Sequence, residues 1–521
     1  MIGRLLRALR SRSSLACCGG GVVLVAAHPP IGWWPLAFVG LVPLLVVARR
    51  VGWKRAIGFG YLYGLVVELG GTYWIGPTVG DFYRVYTTHG QASDWQVLGV
   101  GGGLFLLWWL TNALHWALWG LAFGLTSRRA VSTGLWLVTV PLAVEGFFPR
   151  VFPWTTGSAL SGCLPLAQPA AWFGVPALTA GVVVVAVVLT FAWESRTNSW
   201  RSFAVLVSSA VAFVVLWGGV GAYRMSHLPT GPTVRIGYVQ PNIPLETKSG
   251  LTPPREPVLI QLLRATSRLR RQSDCDLVVW PEGLVEEHVS GAMDRPEVRD
   301  LFGQLGVGVV VGAGAAGAEL GVWFNRAYFV PMSRGAPLAW YDKRFLLAFG
   351  ERLPMADLLH RLGLDFVGSL HAGSGMKVFP LGRDDVTFGI SICYEGILAA
   401  TGDDLLAAGA QLHVNITEDL WYGQSSAPYQ HLSLVRLRAI ESGIPVVRVA
   451  NGGISAAITR SGAIPESVPL GVAGSGVFEL DVAPRDLHRP ATRVFGDVAK
   501  WLWLPVLIGA FVRRRQSTLA R

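Results

Sequence analysis

Cysteine is scarce in this chain: five residues in 521, Cys17, Cys18, Cys163, Cys275 and Cys393, with neither metal-ligand spacing nor the density of a disulfide scaffold. That excludes a cysteine-built zinc site and a disulfide-stapled fold, and leaves the redox compartment open. Clustered positive charge of the nucleic-acid kind is also missing. The net charge is +11, yet many of the basic residues sit in short groups beside apolar runs, which is the pattern of membrane topology and not of a binding stripe. What is abundant is apolar surface. About half of the residues are hydrophobic (51%), 21 are tryptophan, and the mean hydropathy is +0.44, too apolar for a soluble protein of ordinary make-up. Part of the chain is therefore expected in lipid.

The order of those apolar runs gives a topology. Arg4, Arg7, Arg10 and Arg12 precede a run from Leu15 to Ala27, which also reads as a signal peptide with Ala26-Ala27 near a cleavage point. Trp33 to Ala48 follows the His28-Pro29-Pro30 break; both runs are short for a span of roughly 20 residues. Ile57 to Ile75, Val97 to Leu125, Val131 to Phe148, Leu166 to Trp193 and Phe203 to Tyr223 complete seven expected spans. The amino terminus, Arg49-Arg50 with Lys54-Arg55, Arg128-Arg129, and Arg196 with Arg201 fall on alternate connections, which the positive-inside rule places in the cytoplasm. The loops Gly76 to Gln96 and Pro149 to Pro165 carry few bases and are expected outside. Seven crossings then deliver residue 224 onward to the extracytoplasmic side. An eighth run, Trp501 to Val512, followed by Arg513-Arg514-Arg515, returns the tail to the cytoplasm. The expected organisation is a membrane domain over residues 1–225, an extracytoplasmic domain over 232–485, and a last span within 498–515. Within the spans, Glu68, Asn112, His115 and Glu145 are costly in hydrocarbon, so each is expected to have a functional or interhelical role.

Residues 232–485 alternate short β-rich runs (Val234 to Val239, Leu277 to Trp280, Val307 to Val311, Leu412 to Ile416, Val446 to Val449) with helical ones (Pro257 to Arg271, Tyr429 to Ser442). By pattern alone this is one α/β core of unspecified strand order. Three stretches in it carry chemistry. Val386 to Ile392 reads as a buried strand and Ile397 to Ala408 as a helix, so Cys393 in Ser391-Ile392-Cys393-Tyr394-Glu395-Gly396 sits on a strand-to-helix elbow. Backbone N–H groups and a helix dipole there favour a thiolate and a developing oxyanion. Alone, the cysteine reads more readily as a buried small hydrophobe, and only the other two stretches reverse that. Glu282 ends the apolar strand Leu277-Val278-Val279-Trp280-Pro281, and Lys343 follows another strand in Tyr341-Asp342-Lys343-Arg344-Phe345. A base, an ammonium and a thiol at strand ends of one domain form a nucleophilic constellation.

Glu282, Lys343 and Cys393 resemble, in order and context, the Glu-Lys-Cys triad of the nitrilase superfamily. The flanking residues narrow the resemblance: Tyr341-x-Lys343, Phe349-Gly350-Glu351-x-x-Pro354, Cys393-Tyr394-Glu395, Gln430-His431, Arg438-Ala439-Ile440-Glu441 and Asn451-Gly452-Gly453-Ile454-Ser455 look like the apolipoprotein N-acyltransferase family. The resemblance implies an αββα nitrilase-type sandwich inserted between transmembrane helices, seven before it and one after, in a bacterial inner (plasma) membrane. It also implies ping-pong acyl transfer from a membrane phospholipid, through a Cys393 thioester, to the α-amine of a diacylglyceryl-cysteine lipoprotein. Glu282 is then the general base and Lys343 the oxyanion partner. Glu351, Tyr394 and Glu395 are supporting residues, although Glu351 also reads as an ion-pair partner of Arg344 or Arg352. A monomer with no metal or organic cofactor is expected. Cys275, between Asp274 and Asp276, reads as structural, its thiol raised by the two carboxylates. His371, His413 and His431 show no acidic partner in the sequence. Lys248 is followed by Ser249 where the family has a Lys-Trp pair, Glu282 is followed by Gly283-Leu284-Val285 where a proline is common, and Glu418 stands where the pattern commonly has Asn. A membrane-tethered amidase, separated by water reaching the thioester, and an inactive scaffold, which would not need the full triad, are the other readings.

Overall fold

In the computed structural model, residues 11–126, 131–285, 290–293, 295–319, 321–333, 336–352, 370–383 and 385–485 are described, with residues 498, 501 and 504. The chain divides into two compact units. One takes Met1–Tyr73, Gly103–His227 and Pro490–Arg521; the other takes Trp74–Gly102 and Leu228–Arg489.

The first unit is helical, and three described helices are long and apolar enough to cross a membrane: Asp94–Gly124, Val175–Ser195 and Trp200–Ser226. The last of these exposes Val205, Val211, Phe213, Val215, Leu216 and Val220, a face suited to hydrocarbon and not to water. Shorter apolar helices run over Arg12–Ala26 and Val42–Arg50, and Trp53–Thr72 has 20 residues. The expected span Leu166 to Trp193 is not one helix. It is broken into Leu164–Ala167, Ala170–Phe173 and Val175–Ser195, because Pro169 lacks an N–H and Gly174 takes φ +73°. The run Trp501 to Val512 and its basic tail lie outside the described residues, apart from Trp501 and Leu504, as do Arg128 and Arg129.

Polar groups tie the helix ends together. Arg49, buried, pairs with Glu194 at 3.4 Å and donates to the Thr126 hydroxyl at 3.2 Å, which gathers three helix connections at one end of the unit. At another set of termini, His28 Nε2 lies 3.2 Å from the Thr155 carbonyl and its ring packs on Trp154 at 4.2 Å. Of the costly residues, Glu68 accepts from Trp116 Nε1 (3.1 Å) and His115 meets Arg150 (2.6 Å). Glu145 accepts from Thr156 and from the Thr179 hydroxyl, whereas Asn112 only donates to Trp108 of its own helix. Three of the four therefore bridge elements.

The described residues of the second unit form twelve strands: β1 (Thr233–Gln240), β2 (Leu277–Val279), β3 (Gly308–Ala316), β4 (Trp323–Val330), β5 (Ala339–Asp342), β6 (Val378–Pro380), β7 (Thr387–Ile392), β8 (Leu412–Glu418), β9 (Val446–Asn451), β10 (Ser455–Ile458), β11 (Glu466–Val468) and β12 (Gly474–Asp481). They form two six-stranded sheets, ordered β12-β1-β2-β3-β4-β5 and β11-β10-β9-β8-β7-β6. Each has a parallel centre, β1-β2-β3 or β7-β8-β9, with antiparallel strands outside it. Both faces of each centre are covered, which is why β8 and β9 are buried at every position, although β8 alternates Leu412, Val414 and Ile416 with the polar His413, Asn415 and Thr417. Between the sheets, Ile236, Val279, Val310 and Phe329 of one pack with Phe388, Ile390, Val414 and Val449 of the other. Outside the first sheet, Val278, Trp280 and Val309 meet Leu262 and Leu269 of helix Val258–Gln272. Helices Ala399–Ala407 and Ala427–Ser442 pack together on the second sheet's side, the longer one against β9. The layers are thus helix, sheet, sheet, helix. The expected helix from Ile397 begins earlier, as a 3-10 turn over Cys393–Ile397, and resumes as α-helix at Ala399.

Candidate active site

Parallel centres aim the C-terminal ends of β2, β7 and β8 in register, so side chains just past those ends converge, and β5 ends beside them. Glu282 leaves β2 through Trp280-Pro281 and is buried. Its backbone runs so close to β3 that a Cβ on Gly312 would lie 2.5 Å from the Pro281 carbonyl, so only glycine allows the approach. Glu282 Oε1 accepts from Asn325 Nδ2 of β4 at 2.7 Å, and Oε2 accepts from the Glu418 backbone N–H at 2.9 Å. Lys343, 1% exposed, follows β5 and points its ammonium at two carboxylates: Glu351 Oε1 at 2.8 Å and Glu282 Oε1 at 3.6 Å. Burial works against that charge, but Glu351, Glu282 and the Cys393 sulfur outweigh it and hold the ammonium above the ordinary lysine range.

Glu351 does not pair with Arg344 or Arg352 as one reading of the sequence allows; it pairs with Lys343. It also accepts from Leu347 N (2.9 Å) and from the same Asn325 amide (3.0 Å). Burial would raise this carboxyl, and Lys343 with these donors brings it below the usual range. Asn325 thus bridges both acids, and no local sequence signal marks it.

Cys393 lies at the start of the 3-10 turn with φ +51°, a left-handed conformation that costs a β-substituted residue on the order of 1 kcal/mol or more. Glu395 holds it there. Its fully buried carboxylate accepts from Ile392 N (2.9 Å), Arg344 N (2.8 Å), Phe345 N (3.1 Å) and the Tyr341 hydroxyl (2.8 Å), binding the elbow to the segment that carries Lys343. Tyr394 is half-buried, and burial pushes its hydroxyl up while Lys343 nearby draws it down. The elbow does not hold a standing thiolate. Burial and then the Glu282 charge push the thiol up to about 12, with Lys343 and the Thr417 hydroxyl opposing only in part. At neutral pH the sulfur is therefore held as a thiol.

Beneath the thiol lies a buried polar bed. Arg448, 0% exposed on β9, donates to Asn415 Oδ1 (2.9 Å) and Asp419 Oδ2 (2.5 Å), and Asn415 Nδ2 reaches the Cys393 carbonyl at 3.4 Å. His431 has an acidic partner after all: Asp419 Oδ1 is 3.1 Å from its Nδ1, across a helix–strand pairing that sequence distance concealed. His413 meets the Ser391 hydroxyl at 2.6 Å, and burial drops it to about 3, which keeps it neutral. His371 only approaches the Trp323 N–H, at 3.4 Å. Cys275 is raised chiefly by burial, with Asp274 a smaller cause; Asp274 is turned to Arg270, and Asp276 accepts from Arg235 N.

Lys248, which precedes the departure at Ser249, faces the departure at Glu418: Lys248 Nζ lies 3.0 Å from Glu418 Oε2. Elsewhere in this unit, the 74–102 segment sets Phe82 and Tyr86 against Trp421 at 5.3 and 4.9 Å, and Trp74 against Tyr422 at 5.2 Å.

The two-sheet sandwich is the nitrilase-type α/β fold, and residues 235–468 match the carbon-nitrogen hydrolase family. Residues 20–188 match the apolipoprotein N-acyltransferase N-terminal domain. The chain is 30% identical to an apolipoprotein N-acyltransferase of Geobacter metallireducens over 98% of its own length and 97% of that protein's. It is 29% identical to one of Allorhizobium ampelinum (91% of each chain) and 30% identical to one of Bradyrhizobium diazoefficiens (97% and 95%). Among solved structures it is similar to an amidase from Nesterenkonia sp., at 19% identity and a TM-score of 0.36, over 50% of this chain and 96% of that one. The chain belongs to the apolipoprotein N-acyltransferase family.

Proposed function

We propose that the protein moves a fatty acyl chain from a membrane phospholipid to the α-amino group of a diacylglyceryl-cysteine lipoprotein, with Cys393 as nucleophile, Glu282 as general base and Lys343 as oxyanion partner. The observation that carries this reading is full-length family membership joined to the convergence of Glu282 and Lys343 beside the Cys393 elbow. Glu282 takes the thiol proton as sulfur attacks the ester carbonyl. The tetrahedral oxyanion is met by Lys343 and by the Tyr394 N–H, and its collapse breaks the C–O bond, the proton passing from Glu282 to the leaving lysophospholipid alcohol. The acceptor amine then attacks the thioester, loses a proton to Glu282, and the C–S bond breaks to restore the thiol. Glu351 and Asn325 keep Lys343 and Glu282 in place, and Glu395 keeps the elbow.

Membrane residence suits this chemistry, because both substrates are lipids and a soluble amidase needs no spans. We further propose eight spans in an inner membrane with the second unit's catalytic residues on the extracytoplasmic side. The gathering of residues 49, 126 and 194 at one end supports the alternation, since all three lie at or beside connections expected in the cytoplasm. A cysteine placed at Thr197 should stay protected from membrane-impermeant maleimide in intact cells, and one at Thr87 should label; equal labelling would overturn the parity. To test the reaction, the enzyme is incubated in phosphatidylethanolamine and phosphatidylglycerol vesicles and weighed intact. One acyl chain should appear on wild type, be absent from Cys393→Ala, and move to an added diacylglyceryl peptide as an amide. Discharge to water alone would favour the amidase reading.

A further inference from the structure

Lys248 and Glu418 form an ion pair that touches the proposed base at two points, and nothing in the proton transfers above uses it. Lys248 closes the short helix Leu245–Lys248, and its Nζ donates to Glu418 Oε2 (3.0 Å) and to the Glu282 carbonyl (3.3 Å). Glu418 ends β8 and gives its own N–H to Glu282 Oε2. Its Oε2 also accepts from Asn451 Nδ2 at 2.9 Å, and Oε1 accepts from Leu420 N at 3.2 Å. Asn451 in turn holds both the N–H (2.8 Å) and the carbonyl (3.0 Å) of Ile243, at the root of the segment that brings Lys248 in. The side chains are 17% and 3% exposed, so the pair is poorly screened by solvent. Each charge depends on the other: burial opposes the Lys248 ammonium, which Glu418 restores, and burial raises the Glu418 carboxyl, which Lys248 and Asn451 offset only in part.

We propose that Lys248 and Glu418 are a paired positioning device for Glu282, fixing its carboxylate through the Glu418 N–H and its backbone through Lys248, and cancelling each other's charge at the base. This rests on the reading of Glu282 as the general base. The other titratable or charged groups that act around Glu282 are Lys343, Glu351, the Cys393 thiol, Tyr86 and Tyr422; Lys343 is the cation opposite Lys248. With the pair intact, Glu282 shares the Lys343 ammonium with Glu351, and Lys248 and Glu418 add no net charge to that balance. Deleting Lys248 sets a second carboxylate against it, and deleting Glu418 sets a second cation against it.

The signs of those two changes are opposite, which a merely structural role would not produce. Single-turnover thioester formation is followed against pH in vesicles of phosphatidylethanolamine and phosphatidylglycerol with a labelled acyl chain. Lys248→Met should move the acidic limb of the rate profile up by about one pH unit, and Glu418→Gln should move it down. The double variant should return it near wild type and recover rate lost in either single variant, because no lone charge remains. Lys248→Arg, which keeps the cation, guards against a folding artefact and should leave the limb in place. Limbs that move together, or not at all, in variants that retain the wild-type melting temperature would overturn the proposal. Alkylation of Cys393 by iodoacetamide separates this from failure of the functional reading: a wild type that alkylates at Cys393 but never acylates from phospholipid refutes the proposed reaction, whereas static limbs in an acylating wild type refute only the paired device.

Discussion

The two sheets of the second unit share a plan, a parallel centre edged by antiparallel strands, but they bring different groups to the site. From the first come the two charges that act most on the thiol, Glu282 past β2 and Lys343 past β5, with the bridging Asn325 on β4, all linked within 3.6 Å. The second supplies a neutral thiol past β7, a strained turn to present it, and the Asn415, Thr417, Asp419 and Arg448 bed below. The difference follows from burial. A carboxylate and an ammonium survive in a water-poor site only when paired and hydrogen-bonded, so they arrive as a network; a thiol survives by remaining protonated. In the proposed reaction, sulfur activation is consequently left to the moment when the carboxylate of one sheet meets the thiol of the other.

The largest expected effect separates these two roles of charge. Glu282→Gln and Lys343→Ala should each slow thioester formation by roughly 10²-fold or more, Lys343 through a loss of about 3 kcal/mol at the oxyanion. Alkylation of Cys393 by iodoacetamide should respond with opposite signs. The Glu282 charge raises the thiol, so removing it lowers the pKa and speeds alkylation at a given pH; Lys343 lowers the thiol, so removing it slows alkylation. In wild type, where the thiol is pushed up to about 12, alkylation should still be climbing above pH 9. A plateau near neutral pH would mean a standing thiolate and would break the contrast between the sheets.

A smaller effect is expected at Glu351, which holds Lys343 and exchanges no proton in the proposed steps. Glu351→Gln should retain measurable thioester and slow transfer to the amine by about tenfold, read in a chase with diacylglyceryl peptide; equal loss in both half-reactions would make it a partner in proton transfer. The smallest concerns the other thiol of this unit. Cys275 precedes β2, at the strand end opposite to the one Glu282 leaves, and Cys275→Ala should change stability by about 1 kcal/mol and leave acylation untouched.

Much of this was legible in the chain. Strands β2, β3 and β9 announce themselves by short valine-rich runs and β1, β7 and β8 by β-branched or aromatic residues in alternation, and the three candidate residues stand just past such strands or beside their family's flanking text. Edge strands such as β6 and β11, with three residues each, carry too little pattern to be read. Membrane character was equally plain from composition, whereas the break of Leu166 to Trp193 into three helices turned on a proline and a left-handed glycine inside an unbroken apolar run.

Residue types and their local order therefore determined the class of fold and the apolar segments and singled out Glu282, Lys343, Glu351 and Cys393 as candidates, because these depend on periodicity and on short motifs. Only the tertiary structure decided their partners. Asn325 joins two acids from different segments, His431 finds Asp419, Trp74–Gly102 folds with the second unit, and Lys248 meets Glu418 across 170 residues of chain. The physical reason is that a buried charge takes its state from whatever the fold sets within a few ångströms, and sheet order, which no single sequence displays, chooses those neighbours.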